Sequence, residues 1–344
     1  MGVQITELLP KRAAKLEDFS HKVIAIDAAN HLYQFLTTIR GPDGAFFTDS
    51  HGNVTSHLIG LFTRTTHLMK LGIKPVYVFD GEVPKLKNLE IRRRAEQKAE
   101  AEAKYAQAEK EGNEEDMKRY AARSTRLTRE MISDAKQVIE ALGLPIVQAA
   151  GEGEAQAAHL VTKKEAYAIA SQDADSLLFG ATRVVRNLSI EGRRKQAGVL
   201  GYTHVTPELI LLEEVLSSLG VTQQQLICLA MLVGTDYNNH GIKGVGPKNA
   251  LKLVKVHKTP EKIFAEAGWD KYFNYPWQDV LTLFESPNIT DDYGLKFSEF
   301  DKAKLTKLLC GKHDFSEQRV ENTIAELEKS SSIKKQRGLG DFLG

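Results

Sequence analysis

The chain lacks several features that would assign it to a special class. It has only two cysteines, Cys228 and Cys310, far apart in sequence, which argues for buried free thiols in a reducing compartment and against a disulfide framework. No apolar run approaches 18 residues, so no membrane-spanning helix is expected. The opening segment MGVQITELLPKRAAKLEDF carries charge where a signal peptide needs an apolar stretch. An excess of one charge is missing too: 46 Lys+Arg stand against 45 Asp+Glu, a formal net charge of +1. That balance excludes a uniformly basic nucleic-acid coat and an acidic tail protein. There are no internal repeats. What remains is a chain of 344 residues, 42% apolar and 26% charged. At roughly 100–200 residues per domain it makes two domains, or one elaborated domain with insertions, of a soluble intracellular protein.

Two early segments, Lys22–Asp27 and Lys74–Asp80, are short apolar runs that end abruptly in a carboxylate, the pattern of buried strands. A third, Ala166–Ser171, runs straight into Gln172-Asp173-Ala174-Asp175. Helical patterns at Asn30–Ile39, Ser56–Leu71 and Arg129–Leu142 separate them, which predicts an α/β fold with a largely parallel sheet under helices. Sites in such folds form outside the carboxyl ends of the strands, and these aspartates fall there. Lys85–Glu130 differs: it holds 13 Lys+Arg and 10 Asp+Glu with few large aliphatics. Its composition favours helix but offers no apolar stripe wide enough for a core. Gly112-Asn113 divides it, so two exposed helices joined by a turn are expected. The segment reads either as a solvated hairpin or as an insertion above the site whose net charge of +3 guides a polyanion. Beyond Asp236 the chain reads as mostly helical, with irregular stretches at Trp269–Trp277 and Pro287–Tyr293, and from Ser330 as a flexible tail.

Seven acids stand out: Asp27, Asp80, Glu152, Glu154, Asp173, Asp175 and Asp236. Singly, each has an ordinary explanation as a helix cap, a turn residue or a favourable charge at a helix N-terminus. Asp173 and Asp175, two apart in a segment expected to be extended, would point to one side. Together, so many carboxylates converging on strand ends would repel one another unless cations neutralised them. Oxygen ligands without His or Cys suit Mg²⁺ or Mn²⁺ better than zinc. Two such ions ~3.5–4 Å apart would form a clamp for in-line displacement at a phosphodiester. A polyanionic substrate would then need nearby cations. Lys87 and Arg94, seven apart at the base of the charged insertion, share a helical face and are candidates to stabilise charge on the phosphate.

The stretches IDAANHLYQF, TSHLIGLFTR, GIKPVYVFDG, GEGEAQAA, QDADSLLFG, LVGTDYN and GIKGVGPKNAL resemble the flap endonucleases of the structure-specific 5′-nuclease superfamily, in order and across essentially the whole chain. The resemblance implies an α/β PIN-like (Rossmann-like) core with a largely parallel central sheet, a helical arch insertion and a helix-two-turn-helix module. The implied division is 1–84 and 131–235 for the two halves of the core, 85–130 for the arch, 236–329 for the helix-two-turn-helix and C-terminal helical region, and 330–344 for the tail. It implies Mg²⁺-dependent removal of 5′ flaps, with two ions per site and Mn²⁺ as a substitute, and an associated 5′–3′ exonuclease activity, in Okazaki fragment maturation and base excision repair. The family's metal-binding acids fall on the seven named above, and its phosphate-directed arch residues on Lys87 and Arg94. Tyr33 takes the place of a tyrosine that stacks on a base, and Gly2 sits near the family's active site. Contacts to DNA are implied for Tyr33, Arg40, Thr55, Glu152, Gly234, Asp236, Gly244, Gly246, Lys248, Phe315 and Arg319. Of these, Thr55 with Phe315 and Arg319 would form a pocket for a one-nucleotide 3′ flap.

The run Gly241–Lys248 matches the helix-two-turn-helix, where a glycine-rich turn lets backbone approach phosphate and the family holds a K⁺ ion. Pro247-Lys248 departs from GK[ST], which excludes a Walker A loop. Ala150-Gly151 stands where the family usually has Pro-Ser, which predicts a looser loop that keeps its ligands. In the tail, Gln336, Leu339, Phe342 and Leu343 resemble the motif that binds the sliding clamp, proliferating cell nuclear antigen; one helical turn would put Leu339 and Phe342 on one face. Leu343 replaces a second aromatic, and no basic extension follows, as in archaeal relatives. The expected protein is a monomer of the cytoplasm or nucleoid if archaeal, or of the nucleus if eukaryotic. A repair exonuclease or a bubble- or junction-cutting relative is the alternative within the superfamily. A non-catalytic clamp or junction scaffold would lose metal ligands, and none is lost.

Overall fold

The computed structural model describes residues 3–41, 44–123, 125–189, 192–195 and 202–340. The strands are β1 (Arg12–Ala13), β2 (Val23–Asp27), β3 (Lys74–Phe79), β4 (Ile146–Gln148), β5 (Ala168–Ala170), β6 (Arg183–Arg186), β7 (Gly192–Lys195), β8 (Tyr202–Val205) and β9 (Glu208–Leu211). Seven of them form one sheet in the order β1-β9-β6-β5-β2-β3-β4, while β7 and β8 pair separately as an antiparallel ribbon. From β6 to β4 all pairings are parallel; β9 runs antiparallel to both β6 and β1. The sheet is covered on both faces, and the residues alternate between them. Ala25, Val76 and Val78 face one core cluster, whereas Ile24, Ile26, Tyr77 and Phe79 face the other. A period of two is what a strand buried on both faces requires.

The chain-order helices α1 (Ala28–Thr38), α2 (Ser56–Lys70), α3 (Asn88–Glu111), α4 (Glu114–Arg123), α5 (Arg129–Ala141), α6 (Gly153–Thr162) and α7 (Asp175–Leu178) belong to about the first half of the chain. They are followed by α8 (Leu212–Leu219), α9 (Gln223–Val233), α10 (Pro247–His257), α11 (Pro260–Ala267), α12 (Trp277–Glu285), α13 (Lys302–Thr306) and α14 (Glu317–Gly340). Leu32 and Phe35 of α1, Leu58 and Leu61 of α2 and Val138 of α5 pack on one sheet face, with Val320 and Ile324 of α14 in the same cluster. Ala157 and Leu160 of α6 and the wholly buried stretch Leu226–Leu232 of α9 pack on the other. No single described helix is long and apolar enough to cross a membrane; a bent pair, α8 with α9, passes by length and composition, but α9 is core.

Helices α3 and α4 form a hairpin broken at Gly112, whose φ of +64° closes α3 in the left-handed conformation. Among its described side chains, Ala101 and Ala108 are the buried apolar ones, so among the described residues it buries little apolar surface. Three findings depart from the sequence reading. Asp175 is not extended: it opens α7, because residues 172–174 bend before it. The backbone does not leave helical structure at Ser330 but continues in α14 to Gly340, through a segment with no proline and no glycine before Gly338. Of the two free thiols, Cys228 is buried but Cys310 only half-buried.

Candidate active site

The site follows from strand order. β5, β2, β3 and β4 are parallel neighbours, so their carboxyl ends open on one edge of the sheet. β2 ends in Asp27, whose side chain caps α1 by accepting the Asn30 N–H at 3.0 Å. β3 delivers Asp80, exposed at the rim and accepting the Gly153 N–H at 2.7 Å. A Cβ on Gly153 would lie 3.0 Å from that carboxylate oxygen, so glycine permits the approach. The turn between β4 and α6 brings Glu152 and Glu154. The turn after β5 brings Asp173, which accepts from the Asn30 side chain at 3.0 Å, and Asp175, which accepts the Val3 N–H at 2.7 Å. Gly2 lies outside the described residues, but the amide beside it thus reaches the site. Asp236 arrives from the other core cluster, in the turn after α9.

The inserted hairpin supplies the cations. Lys87, in the turn before α3, pairs with Glu152 and lies 3.3 Å from Asp236; Arg94, two turns into α3, pairs with Asp236 and with Glu90. Burial alone would lower the Lys87 ammonium, but Glu152 and then Asp236 more than reverse it, and its pKa is raised. The acids move up. Burial first, then Asp80, raise Asp27 to about 7. Burial raises Asp175 to about 7 as well, Asp173 and Asp236 adding to it against the Val3 amide. Glu154 is pushed well above the usual carboxylate range by burial and by Asp175, Asp27 and Asp173. All seven acids therefore feel one another or the same lysine, and two cations are too few for them.

That deficit is the test of whether a metal fits. Oxygen-only donors short of positive charge suit a hard divalent ion. Among the described residues no three acidic, His or Cys side chains stand arranged to hold an ion as they are. Carboxylate oxygens are engaged instead by Lys87, Asn30 and the amides of Val3 and Gly153.

Three partners were missed in the sequence. Asn30 had a signal, three residues after Asp27 at a helix start. Ser171, whose hydroxyl bonds Glu154 at 3.1 Å, had only its place after a strand. Tyr237, buried, whose hydroxyl donates to Glu152, adjoins Asp236 in sequence but had no mark of its own.

The remaining candidates are scattered around this centre. Tyr33 is half-buried on α1 with Lys98 Nζ 5.1 Å from its ring centroid, not a core tyrosine. Arg40 lies over the Phe46 ring at 4.0 Å and donates to Gly44 O at 2.9 Å and to Thr125 Oγ1 at 2.5 Å, so it ties the end of the hairpin to the α1–α2 loop. Gly234 closes α9 with φ of +116°, and a Cβ there would strike Gly241 N at 2.6 Å. Gly244 has φ of +82° and faces open space, as does Gly246, which precedes α10 with Lys248 exposed in its first turn. Thr55 is buried at the start of α2, Phe315 half-buried and Arg319 exposed. Their loops meet through Ser50 N donating to Asp314 at 2.6 Å and His313 Nδ1 lying 3.3 Å from Asp49. The Ala150-Gly151 loop is not loose: Gly81 N and Glu82 N bond Gly151 O and Ala150 O at 2.7 and 2.9 Å, and Gly151 packs so closely on Asn288 that a Cβ would lie 2.7 Å from its carbonyl. Gln336 and Leu339 lie on the last turns of α14 with side chains outside the described residues, and Phe342 and Leu343 lie outside them altogether.

Clustered acids that repel one another beneath two cations are suited to cutting a polyanion with divalent ions. The fold and site therefore define a class: metal-dependent nucleases on a PIN-like α/β core. Comparison with known proteins narrows this. Residues 1–101 match the XPG N-terminal domain and residues 143–236 the XPG I-region. The chain is 50% identical over 345 residues to flap endonuclease 1 of Thermococcus onnurineus, covering 100% of this chain and 99% of that one. It is 50% identical over 340 residues to flap endonuclease 1 of Pyrococcus abyssi, covering 98% and 97%. The solved structure of flap endonuclease-1 from Methanococcus jannaschii superposes with a TM-score of 0.76 at 38% identity, covering 97% of this chain and 100% of that one. The chain belongs to the flap endonuclease family.

Proposed function

We propose that the protein cuts 5′ flaps from DNA at the junction of single- and double-stranded regions, leaving 5′-phosphate and 3′-hydroxyl ends, with an associated 5′–3′ exonuclease activity. One observation carries the reading: Lys87 and Arg94, from the base of the inserted hairpin, meet on Asp236 within the seven-carboxylate cluster. Oxygens of Asp27, Asp80, Glu152, Glu154, Asp173, Asp175 and Asp236 are the donors for two Mg²⁺ ions, or Mn²⁺ in their place, which when bound supply an activated water and neutralise charge on the phosphate.

The chain's own residues do the rest. Lys87 Nζ and the Arg94 guanidinium bind the nonbridging oxygens of the scissile phosphate. Both are held in place by carboxylates in the absence of DNA, so binding exchanges one anionic partner for another. Tyr33 stacks on a base beside the cut. Gly234, Gly244, Gly246 and Lys248, with a K⁺ ion, grip the duplex backbone; Thr55, Phe315 and Arg319 receive a one-nucleotide 3′ flap. Arg40 acts by holding the hairpin's end near the flap strand. In this division of labour 1–84 and 131–235 hold the chemistry, 85–130 covers it, 236–329 binds duplex, and Gln336, Leu339, Phe342 and Leu343 recruit the sliding clamp. The cellular setting is Okazaki fragment maturation and base excision repair by an intracellular monomer.

The test is cleavage of a labelled double-flap duplex in Mg²⁺ beside Asp175→Ala, read at nucleotide resolution. A single cut one nucleotide into the duplex, absent in the variant, is expected. A ladder from the 5′ end would overturn the flap-specific reading in favour of an exonuclease. Absence of any metal-dependent cut would overturn the nuclease reading.

A further inference from the structure

A recess of about 200 Å³ opens beside the carboxylate cluster, lined by Leu86 and Glu90 of the hairpin base, Asp236, Tyr237 and Asn239 of the α9–α10 turn, and residues 272–275. It is smaller than a drug-sized pocket and matches one small planar group. Its walls are pre-formed. Tyr275 donates its hydroxyl to the Tyr237 carbonyl at 2.9 Å, and the Trp269 indole N–H donates to Tyr275 O at 2.7 Å. Trp269 is itself buried against Phe264, Phe273 and Tyr275. On this anchored wall stands Tyr272, 44% exposed. Among the described residues its ring packs on no other ring and its hydroxyl bonds nothing. The side-chain amides of Asn239 and Asn274, also lining the recess, likewise have no hydrogen-bond partner among the described residues. An idle aromatic face beside two idle amides is what a nucleobase needs: a surface to stack on and donors and acceptors for its edge.

Position identifies which base. Asp236 belongs both to the recess and to the Lys87–Arg94 cluster, so a group seated here is one sugar away from a phosphate held by those cations. The carboxylates of Glu90 and Asp236 are engaged by Arg93, Arg94 and Lys87, so the polar groups left for a ligand in the recess are the amides of Asn239 and Asn274. We propose that this recess binds an unpaired nucleobase of the flap strand next to the scissile phosphate, stacked on Tyr272 and read by Asn239 and Asn274. The proposal rests on the flap-nuclease reading and adds a second base-holding surface to it. Capturing the base there turns the strand so that its backbone lies against Lys87 and Arg94.

The experiment places 2-aminopurine, and in a parallel series an abasic residue, at each of the first three unpaired flap positions and at the last paired one. Binding is read in chelator by fluorescence and cleavage in Mg²⁺. For one position, wild type is expected to quench the probe and Tyr272→Ala is not. At that position the abasic residue should raise KM in wild type and leave Tyr272→Ala unchanged. Loss of stacking predicts roughly 5- to 100-fold weaker binding for Tyr272→Ala, with Tyr272→Phe close to wild type. Asn239→Ala serves as a second variant should Tyr272→Ala unfold. An abasic penalty of equal size in wild type and both alanine variants at every position would overturn the recess. Probe quenching that depends on Tyr272 in a protein that never cuts flaps would uphold the recess and overturn the proposed function instead.

Discussion

Lys87 is the residue on which the site's charge balance turns. Its ammonium faces Glu152, Asp236 and Glu154, and its removal leaves Arg94 as the cation paired with the cluster of repelling acids. Lys87→Ala is expected to slow single-turnover flap cleavage by roughly 10²–10³-fold, the usual loss when one preorganised charge stabiliser is deleted, with little change in duplex affinity. A rate within threefold of wild type would refute its role at the phosphate. Asp27 and Asp175 carry a second prediction. Their folded-state pKa values, about 7, lie above the ordinary 3.8, so between those limits the folded form holds protons that the unfolded form has lost. Their contribution to stability is fully present below about 3.8, falls as pH rises through that window and stays lost above 7. Asp27→Asn keeps an acceptor for the Asn30 N–H and removes the charge. In chelator at pH 8 it should unfold at higher denaturant concentration than wild type, by a few kcal/mol, while losing cleavage. An unchanged midpoint would refute the account of the raised pKa.

At the scale of elements, the α3–α4 hairpin is held weakly. It is rich in exposed charge, and α3 is tied to the body at its base through Arg94–Asp236; Arg126–Glu102 links the two ends of the segment to each other, and Arg40–Thr125 holds its C-terminal end. Elements with so little buried apolar surface open first. Limited trypsin digestion should cut first between Lys98 and Arg129, and flap DNA should slow those cuts; equal rates with and without DNA would refute a hairpin that the substrate braces. The end of α14 is a different case. Val320, Ile324 and Leu327 bury its first turns, whereas the sequence from Ser330 offers Ile333 as its lone large apolar residue before Leu339. Truncation before Gln336 should leave intrinsic cleavage and thermal stability unchanged and abolish stimulation by a sliding clamp. Loss of intrinsic cleavage would show that these residues belong to the catalytic body.

The whole molecule responds to acid through histidines as well as aspartates. Burial lowers His31 to about 3 and, against the pull of Asp134, His57 to about 4. Their folded pKa values lie below the ordinary 6.5, so the unfolded form takes up protons first and stability falls as pH drops from about 6.5 toward 4, opposing the trend set by the aspartates. His57→Leu should flatten that acid limb in denaturant titrations, and an unchanged slope would refute it.

Much of this molecule is legible in its residues because it depends on local pattern. The continuous apolar runs in Lys22–Asp27 and Lys74–Asp80 specify strands buried on both faces, each run ends in a carboxylate, and Gly112 marks a break that only a left-handed residue makes readily. The seven acids were legible as a set since their residue type and their places after strands are properties of sequence. Other features were decided by tertiary contact. The Asp173–Asp175 bend answers to packing of Ala174 and Leu177 against the core, which overrides the expectation of an extended pair. The close fit of Gly151 on Asn288 joins residues far apart in the chain. So do the Tyr237–Glu152 bond and the recess beneath Tyr272, and no periodicity encodes them. Sequence determined which chemistry the chain can carry, because ligand type and charge are written residue by residue. Only the folded sheet decided which groups face one another, because distances between remote residues are set when parallel strand ends and the turn after α9 are packed together.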